Sequence, residues 1–242
     1  SALPLSDPIP GYAVVSIGYH AFSGCTYLAS VTIGNSVTSI GEQAFSYCTS
    51  LASVTIPDSV TSIGPAAFSH CTSLAVVAIS ACVTNIGVGA FAFCTSLSDV
   101  TIPGSVTTIG NGAFANCTSL TSVNIPDSAT YIGSSAFSDC TALTSVTIPA
   151  SVTSIGSYAF SGCTSLTSIN VHPNNPNYAS LDGILYNKSK TSLIQCPGGT
   201  GLTSVTVPDS VTSIGLYAFR SCTGLTAINV DPDNSTYASV DG

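Results

Sequence analysis

Cysteine returns every 23 residues along most of this 242-residue chain, and a phenylalanine stands three residues before each of these cysteines. A fixed period of about 20 to 50 residues is typical of stacked architectures, in which each repeat hides its apolar side chains only against its neighbours. The sequence therefore predicts a solenoid, one elongated body of coils wound in register. The seven evenly spaced cysteines are Cys25, Cys48, Cys71, Cys94, Cys117, Cys140 and Cys163.

The copies share the line VTxIGxxAFxxCTxLxxVxIP. Its LxxVxI segment ends in alternating apolar residues, which predicts a strand, and stacked coils then form a parallel sheet. The proline that follows ends the strand, because it lacks the amide that a further ladder bond would need. The VTxIG segment is expected to bury its valine and isoleucine. The glycine in every copy indicates a backbone angle that is costly for residues with a side chain.

The AFxxC segment is too short for a regular helix and predicts a turn, or one helical turn, on the side opposite to the strand. Its phenylalanines are expected to stack as a spine. Its cysteines are expected to form a ladder of free thiols, because unpaired cysteine is among the most buried residue types. Disulfides between adjacent coils stay an alternative. The predicted core ladder comprises Phe22, Phe45, Phe68, Phe91, Phe114, Phe137, Phe160 and Phe219, with Cys25, Cys48, Cys71, Cys94, Cys117, Cys140, Cys163 and Cys222.

One unit departs from the period. The segment at about residues 172–201 lengthens its coil, and ILYN and TSLIQC flank the polar NKSK within it, which predicts a hairpin. The motif NPNYASLDG of this unit returns as NSTYASVDG at residues 234–242, so a truncated second long unit is predicted at 231–242 and the parent polypeptide is expected to continue. We interpret residues 1–12 as a linker or the remnant of an N-terminal cap, and residues 13–242 as the solenoid.

Charge excludes several classes of partner. Three basic residues against eleven acidic ones leave a formal charge of -8, so no basic stripe is available for nucleic acid or anionic lipid. The apolar stretch Leu74–Phe93 is long enough to cross a bilayer, but it is one coil of the array in phase with the others, and polar residues and glycines interrupt it. Neither nucleic acid binding nor membrane insertion is expected.

The shared line, together with the longer NYASLDGILYNKSKTSLI, resembles the BspA-like (Treponema pallidum type) leucine-rich repeats from Val14 to Gly242. The resemblance implies an α/β-type solenoid: a right-handed leucine-rich-repeat superhelix with a parallel concave sheet, short turns or strands on the convex side, and little regular helix. It also implies a cell-surface or secreted protein, since some members are adhesins that bind host extracellular-matrix proteins. The family offers no catalytic motif to carry over.

Binding would have to use exposed surface, and the outward strand positions form a concave sheet lined mainly by hydroxyls. A sheet face that is only solvated is the alternative, because serine and threonine also suit strands. The candidate binding surface comprises Ser30, Thr32, Ser53, Thr55, Asp99, Thr101, Ser122, Asn124, Ser145, Thr147, Ser168, Asn170, Ser204 and Thr206.

No cofactor or metal is expected, because His20, His70 and His172 occupy different positions of the coil and no zinc-type spacing recurs. His70 is interpreted as a solvated turn residue. Cys82 and Cys196 lie outside the ladder and are the candidates for reactive thiols. Glycosylation sequons begin at Asn116, Asn187 and Asn234.

These features favour a non-enzymatic binding module at the cell surface or in secreted form, with an adhesin-like role toward extracellular or host-surface proteins. Two alternatives differ in class. The array could be a spacer that holds another domain away from the cell wall. It could also recognise a regular lattice such as ice or a crystalline polysaccharide, although Val76, Ala78, Asp99 and Asn124 interrupt the rows of hydroxyls.

Overall fold

The computed structural model describes residues 2–5, 13–199 and 201–239. The described chain is a parallel β-solenoid, in which each regular coil contributes two strands. In chain order the strands are β1 Ala2–Leu5, β2 Ser16–Ile17, β3 Ser30–Ile33, β4 Ser39–Ile40, β5 Ser53–Thr55, β6 Ser62–Ile63, β7 Val76–Ala78, β8 Asn85–Ile86, β9 Asp99–Thr101, β10 Thr108–Ile109, β11 Ser122–Asn124, β12 Tyr131–Ile132, β13 Ser145–Ile148, β14 Ser154–Ile155, β15 Ser168–Val171, β16 Tyr178–Leu181, β17 Ile184–Asn187, β18 Ser192–Gln195, β19 Ser204–Val207, β20 Ser213–Ile214 and β21 Ala227–Val230.

The LxxVxI strands form what we call the front sheet, the predicted concave sheet. It runs β1-β3-β5-β7-β9-β11 in chain order and continues in the pairs β13-β15 and β19-β21. All of these pairs are parallel, and equivalent residues face each other, so that Val54 pairs with Val77 and Val77 with Val100. The strand order follows the chain order, as coils stacked in register require.

The VTxI segments form the back sheet, with seven two-residue strands in the order β14-β12-β10-β8-β6-β4-β2. Each isoleucine pairs with its equivalent one coil away, as Ile63 does with Ile86. Side chains alternate as the period of two demands: in β9 the central Val100 is buried, whereas Asp99 and Thr101 face solvent. The apolar core therefore lies between the front sheet, the back sheet and the turns.

The described residues form strands and turns but no helix, so the structure does not confirm the α/β label of the predicted class, and this part of the chain is all β. The AFxxC segment is a turn whose backbone bonds to the next coil. Gln43, Phe45 and Tyr47 donate their N–H groups to carbonyl oxygens of the following turn at 2.7 to 2.8 Å. The turns thus form a third ladder of backbone hydrogen bonds beside the two sheets.

The recurring glycine has a different reason from the one predicted. None of these glycines has a positive φ. A Cβ on Gly110 would lie 2.7 Å from the carbonyl carbon of Gly87 and 2.8 Å from the oxygen of Ile86, so the backbones of successive coils leave no room for a side chain. Positive φ falls instead two residues after this glycine, as at Gln43, and one residue before the ladder cysteine, as at Tyr47.

The phenylalanines stack in a continuous column from Phe22 to Phe160. Successive ring centroids are 5.2 to 5.7 Å apart, with interplanar angles of 2 to 12°. The rings between the two ends are fully buried, and each has a neighbour on both faces. Phe219 lies beyond the long unit and packs, partly buried, against a second and smaller core.

The long unit inserts a three-stranded antiparallel segment. β17 and β18 form the predicted hairpin, and β16, which the sequence did not reveal, pairs antiparallel with β17. β18 then occupies a back-sheet position, parallel to β20, and so returns the chain to the coil. β17 divides the core: Leu185 belongs to the main core, whereas Ile184 and Tyr186 belong to the second.

At the chain start, β1 pairs parallel with β3 and extends the front sheet by one strand, which is the position of a cap. Residues 6–12 and 240–242 lie outside the described part of the chain. The boundaries assigned to the linker or cap remnant and to the truncated unit stay predictions.

Removing one ring from the middle of the column should be costly. We expect Phe114→Ala to lower the free energy of unfolding by about 3 to 5 kcal/mol, because the cavity lies between two packed coils. Phe93→Asn is the matched control, since Phe93 is 39% exposed and Asn116 occupies its position one coil later. Denaturant titration measures both, and a loss below about 1 kcal/mol for Phe114→Ala would place the ring outside the core.

The close approach of coils predicts that Gly110→Ala destabilises the chain by about 1 to 3 kcal/mol through overpacking. Gly104→Ala is the control, because nothing lies within 4 Å of its Cβ position and φ is not in the left-handed region. Thermal unfolding of the two variants should separate them. Equal stability would show that the coils relax without cost.

Candidate functional site

The candidate binding surface lies on one face of the front sheet. Twelve of its fourteen side chains are exposed, whereas Ser30 and Ser168 are half-buried. Register places equivalent members side by side, as for Thr32 and Thr55 or Asp99 and Ser122. Asp99 is the single charged residue among the fourteen. The surface is therefore a polar and almost uncharged sheet face.

An apolar side chain interrupts this face near its middle. Val76 is 60% exposed and pairs with Ser53 on one side and Asp99 on the other. Ala78 follows in the same strand and faces the same way. An exposed valine surrounded by polar groups offers a partner both apolar contact and hydrogen bonds.

Other hydroxyls of the repeat serve the fold itself. Thr107, Thr130 and Thr153 each donate to the carbonyl oxygen of the residue one coil earlier, at 3.1 to 3.3 Å. A second row does the same from Thr95 to Thr164. These threonines hold successive coils together at their edges, whereas those of the front face point into solvent.

The front sheet is interrupted at the long unit. β19 pairs with β21, and in the described chain no Cα of β16 or β17 lies within 8 Å of a Cα of β19. A notch results between β19 and the turn that joins β16 to β17, lined by residues that include Leu181, Asp182, Leu202 and Ser204. Leu181 and Leu202 are each 37% exposed, so this part of the face is more apolar than the rest.

The ladder cysteines are free, and those from Cys48 to Cys163 are buried. Each buried thiol donates to the phenylalanine carbonyl of the coil before it, as Cys94 does to Phe68 at 3.2 Å. Burial raises the pKa of Cys48 to about 11 and of Cys94 and Cys163 to about 12. These thiols therefore stay protonated and unreactive at neutral pH.

The remaining cysteines depart in part from the expectation. Cys25 is exposed and Cys222 is half-buried, so the first and last cysteines of the predicted ladder are accessible to solvent. Cys82 is exposed, as a reactive thiol must be. Cys196 is only 1% exposed, so of the two candidate reactive thiols only Cys82 lies at the surface.

A short column of aromatic rings on the turns was not foreseen. His70 lies between Tyr47 and Phe93, with ring centroids 4.3 and 4.4 Å away. It lies in a turn, as predicted, but it is half-buried rather than fully solvated, and burial lowers its pKa. The Ser69 hydroxyl lies 2.9 Å from its Nδ1. The sequence contains a signal for this column, because Tyr47, His70 and Phe93 each stand one residue before a ladder cysteine.

Two sequon asparagines use their amides inside the fold. Asn234 Nδ2 donates to the carbonyl oxygens of Pro208 and Val211 at 2.7 and 3.0 Å. Asn187 Nδ2 donates to Thr191 Oγ1 at 2.8 Å. Attachment of a glycan to either nitrogen would compete with these contacts.

Within the described residues, no three histidine, cysteine or acidic side chains come together as a metal site would require. No described helix is long and apolar enough to span a bilayer. Arg220 forms an ion pair with Asp139 at 3.3 Å and contacts Ser161 Oγ at 3.4 Å, so it links the coils on the two sides of the long unit.

The chain matches the family described as BspA type leucine rich repeat region, in six copies over residues 8–120, 84–195 and 195–239. No curated protein matches it. The match spans most of the chain, and the chain therefore belongs to the BspA type leucine-rich repeat family.

Several solved structures are similar, among them the following three. A leucine rich cell surface protein from Faecalibacterium prausnitzii is 36% identical, with a TM-score of 0.76 over 94% of this chain and 68% of that one. The pneumococcal vaccine antigen PcpA is 25% identical, with a TM-score of 0.70 over 96% of this chain and 58% of that one. The Treponema pallidum leucine rich repeat protein is 36% identical, with a TM-score of 0.63 over 68% of this chain and 77% of that one.

The buried thiols predict how stability depends on pH. A ladder cysteine keeps its proton in the folded chain up to about pH 11 or 12, whereas the unfolded chain releases it near the ordinary pKa of 9.0. The unfolded state then binds fewer protons, so stability is complete below pH 9 and falls from there toward pH 12. Denaturant midpoints at increasing pH measure this loss.

Tyrosine side chains also ionise in this pH range. A comparison of variants therefore decides whether the thiols cause the loss of stability. Cys94→Ala should lower the starting stability and show a shallower decline above pH 9. Cys82→Ser, at an exposed site, should keep the slope of the unchanged protein. Identical slopes for all three proteins would mean that the ladder thiols ionise as readily in the folded state as in the unfolded one.

Proposed function

We propose that this protein is a non-enzymatic binding module, cell-surface or secreted, that contacts extracellular or host-surface proteins in the manner of an adhesin. The front face of the sheet is the contact surface. Its rows of exposed hydroxyls, in register across coils and apart from the threonines that hold the fold, carry the proposal. The right-handed superhelical form expected for the family would set the curvature of this face.

Rigidity supports this role. The backbone groups of each coil are bonded to the neighbouring coils through the front sheet, the back sheet and the turns. A partner therefore meets a surface that is already ordered, and association costs little conformational entropy on this side. Since the face is nearly uncharged, we expect recognition through hydrogen bonds and apolar contact rather than through charge.

The relatives point the same way. One similar structure is described as a cell surface protein and another as a vaccine antigen. A repeat array with a long exposed sheet suits contact with large partners, because solenoids present extended binding surfaces. In this proposal Val76 and the neighbouring polar residues form the centre of contact.

A pair of matched substitutions tests the surface. Val76→Arg places a long charged side chain in the middle of the front face, and Val88→Arg places the same side chain on a turn, where Val88 is 54% exposed. Binding to immobilised fibronectin, laminin and collagen is measured by concentration series. We expect saturable binding to at least one of these, weakened about 10-fold or more by Val76→Arg and less than 2-fold by Val88→Arg.

Two results would count against the proposal. Equal effects of the two substitutions would remove the front face from the interaction. Failure of the unchanged chain to bind any of these matrix proteins or host cells would remove the adhesin role. Circular dichroism of both variants verifies that the solenoid is intact.

A further inference from the structure

The long unit places a cysteine where the regular coils have the phenylalanine of the spine. The N–H of Cys196 donates to the carbonyl oxygen of Ala218 at 2.7 Å, just as Phe137 donates to Ala159 at 2.8 Å. In both cases the acceptor directly precedes the next spine phenylalanine: Phe219 follows Ala218, and Phe160 follows Ala159. At this one step of the described array, a cysteine therefore occupies the position of a spine phenylalanine.

The buried thiols of the regular coils have separate hydrogen-bond acceptors. Each donates to its own carbonyl oxygen, for example Cys140 to Phe114 at 3.2 Å and Cys163 to Phe137 at 3.1 Å. Their side chains point in the same direction along the stack, so neighbouring sulfur atoms occupy equivalent positions in successive coils.

Cys196 and Cys222 differ from this pattern. Both sulfur atoms lie near one acceptor, the carbonyl oxygen of Pro197, at 3.9 Å from Cys196 Sγ and 3.7 Å from Cys222 Sγ. Cys222 Sγ is also 3.8 Å from the carbonyl oxygen of Cys196. Two thiols that lie near one oxygen atom are neighbours.

We propose that Cys196 and Cys222 are a dithiol pair that closes into a disulfide when the folded protein meets an oxidising medium. The buried ladder thiols from Cys48 to Cys163 stay reduced, since each donates to a carbonyl oxygen of its own. A disulfide here would join the long unit covalently to the coil that follows it.

The chemistry balances with a small disulfide as the oxidant. Cys222 is half-buried and can be reached, whereas Cys196 is buried. The Cys222 thiolate attacks one sulfur of oxidised glutathione, a mixed disulfide forms and one glutathione thiolate leaves. Cys196 then gives up its proton and attacks the Cys222 sulfur, so that the second glutathione leaves. Two thiols are oxidised to one disulfide, and one glutathione disulfide is reduced to two thiols.

The electrostatics of the pair suit this order. A hydrogen bond between the two thiols lowers the pKa of Cys222 and raises that of Cys196, and burial raises the pKa of Cys196 further. The accessible member is thus the one with more thiolate, which is the nucleophile in exchange.

The location gives the bond a structural consequence. Cys196 belongs to the second core, and Cys222 packs against it. This core is smaller than the main one, from which β17 separates it. A disulfide would restrict the unfolded chain over the loop between residues 196 and 222 and would stabilise the end of the array.

The experiment is oxidation of the full native chain. The protein, with all ten cysteines reduced at the start, is incubated with oxidised glutathione at pH 8, blocked with N-ethylmaleimide, digested and mapped by mass spectrometry. We expect one cross-linked pair of peptides containing Cys196 and Cys222, and the loss of two free thiols. The oxidised form should unfold about 5 °C higher, and dithiothreitol should reverse this shift.

Two variants control the assignment. Cys25→Ser removes the exposed end of the ladder and should leave the cross-link unchanged, whereas Cys222→Ser should abolish it and leave Cys196 as a thiol. Cross-links between ladder cysteines in place of the 196–222 pair would overturn the proposal. So would a stable glutathione adduct on Cys222 of the unchanged protein, because a neighbouring thiol would displace it.

Discussion

Backbone contact between successive coils is the constraint on which the rest of the structure depends. One coil cannot bury its apolar face alone, so each residue type of the repeat is selected for what it meets one coil away. At Gly110 the requirement is steric, since the previous coil occupies the space of a Cβ. At Phe114 it is stacking, with rings 5.4 Å away on both faces. Because the front sheet, the back sheet and the turns share one register, a slip in any of them would break all three.

The long unit shows how the array tolerates an insertion. Its extra residues form β16 and β17, which pair antiparallel with each other outside the regular coil. β18 then takes the back-sheet position beside β20, with which it pairs in parallel. The register is restored there, but the core is not continuous, because β17 passes between its two parts. The insertion thus creates the features that the regular coils lack: a notch in the front face, a divided core, and a cysteine at a phenylalanine position.

Much of this fold could be predicted from the sequence, because the apolar residues of every coil return at the same phase. The strands and the stacked rings follow from that periodicity, whereas the hairpin of the long unit was predicted from a polar turn between two β-prone runs. Where one residue type can serve several structural roles, the sequence alone does not show which role applies. Glycine suits both a positive φ and a close approach, and the structure assigns the second to Gly110. Positive φ lies at Tyr47, His70 and Phe93, and bulky residues such as Tyr47 and Phe93 seldom adopt it. There the N–H groups of Tyr47 and His70 bond to the next coil, a tertiary interaction that no local preference reveals.

Exposed threonines likewise serve two roles that the sequence does not distinguish: some are bonded within the fold, and others can bind a partner. Thr101 and Thr107 are both exposed and belong to one coil, yet Thr107 donates its hydroxyl to Thr84 of the preceding coil, whereas Thr101 lies on the front face. A hydroxyl already bonded within the fold contributes stability and has less to offer a partner. A hydroxyl bonded to water can exchange that bond for one to a partner at little net cost. The proposed function therefore relies on the front row, and the threonine ladders at its edges keep that row in place.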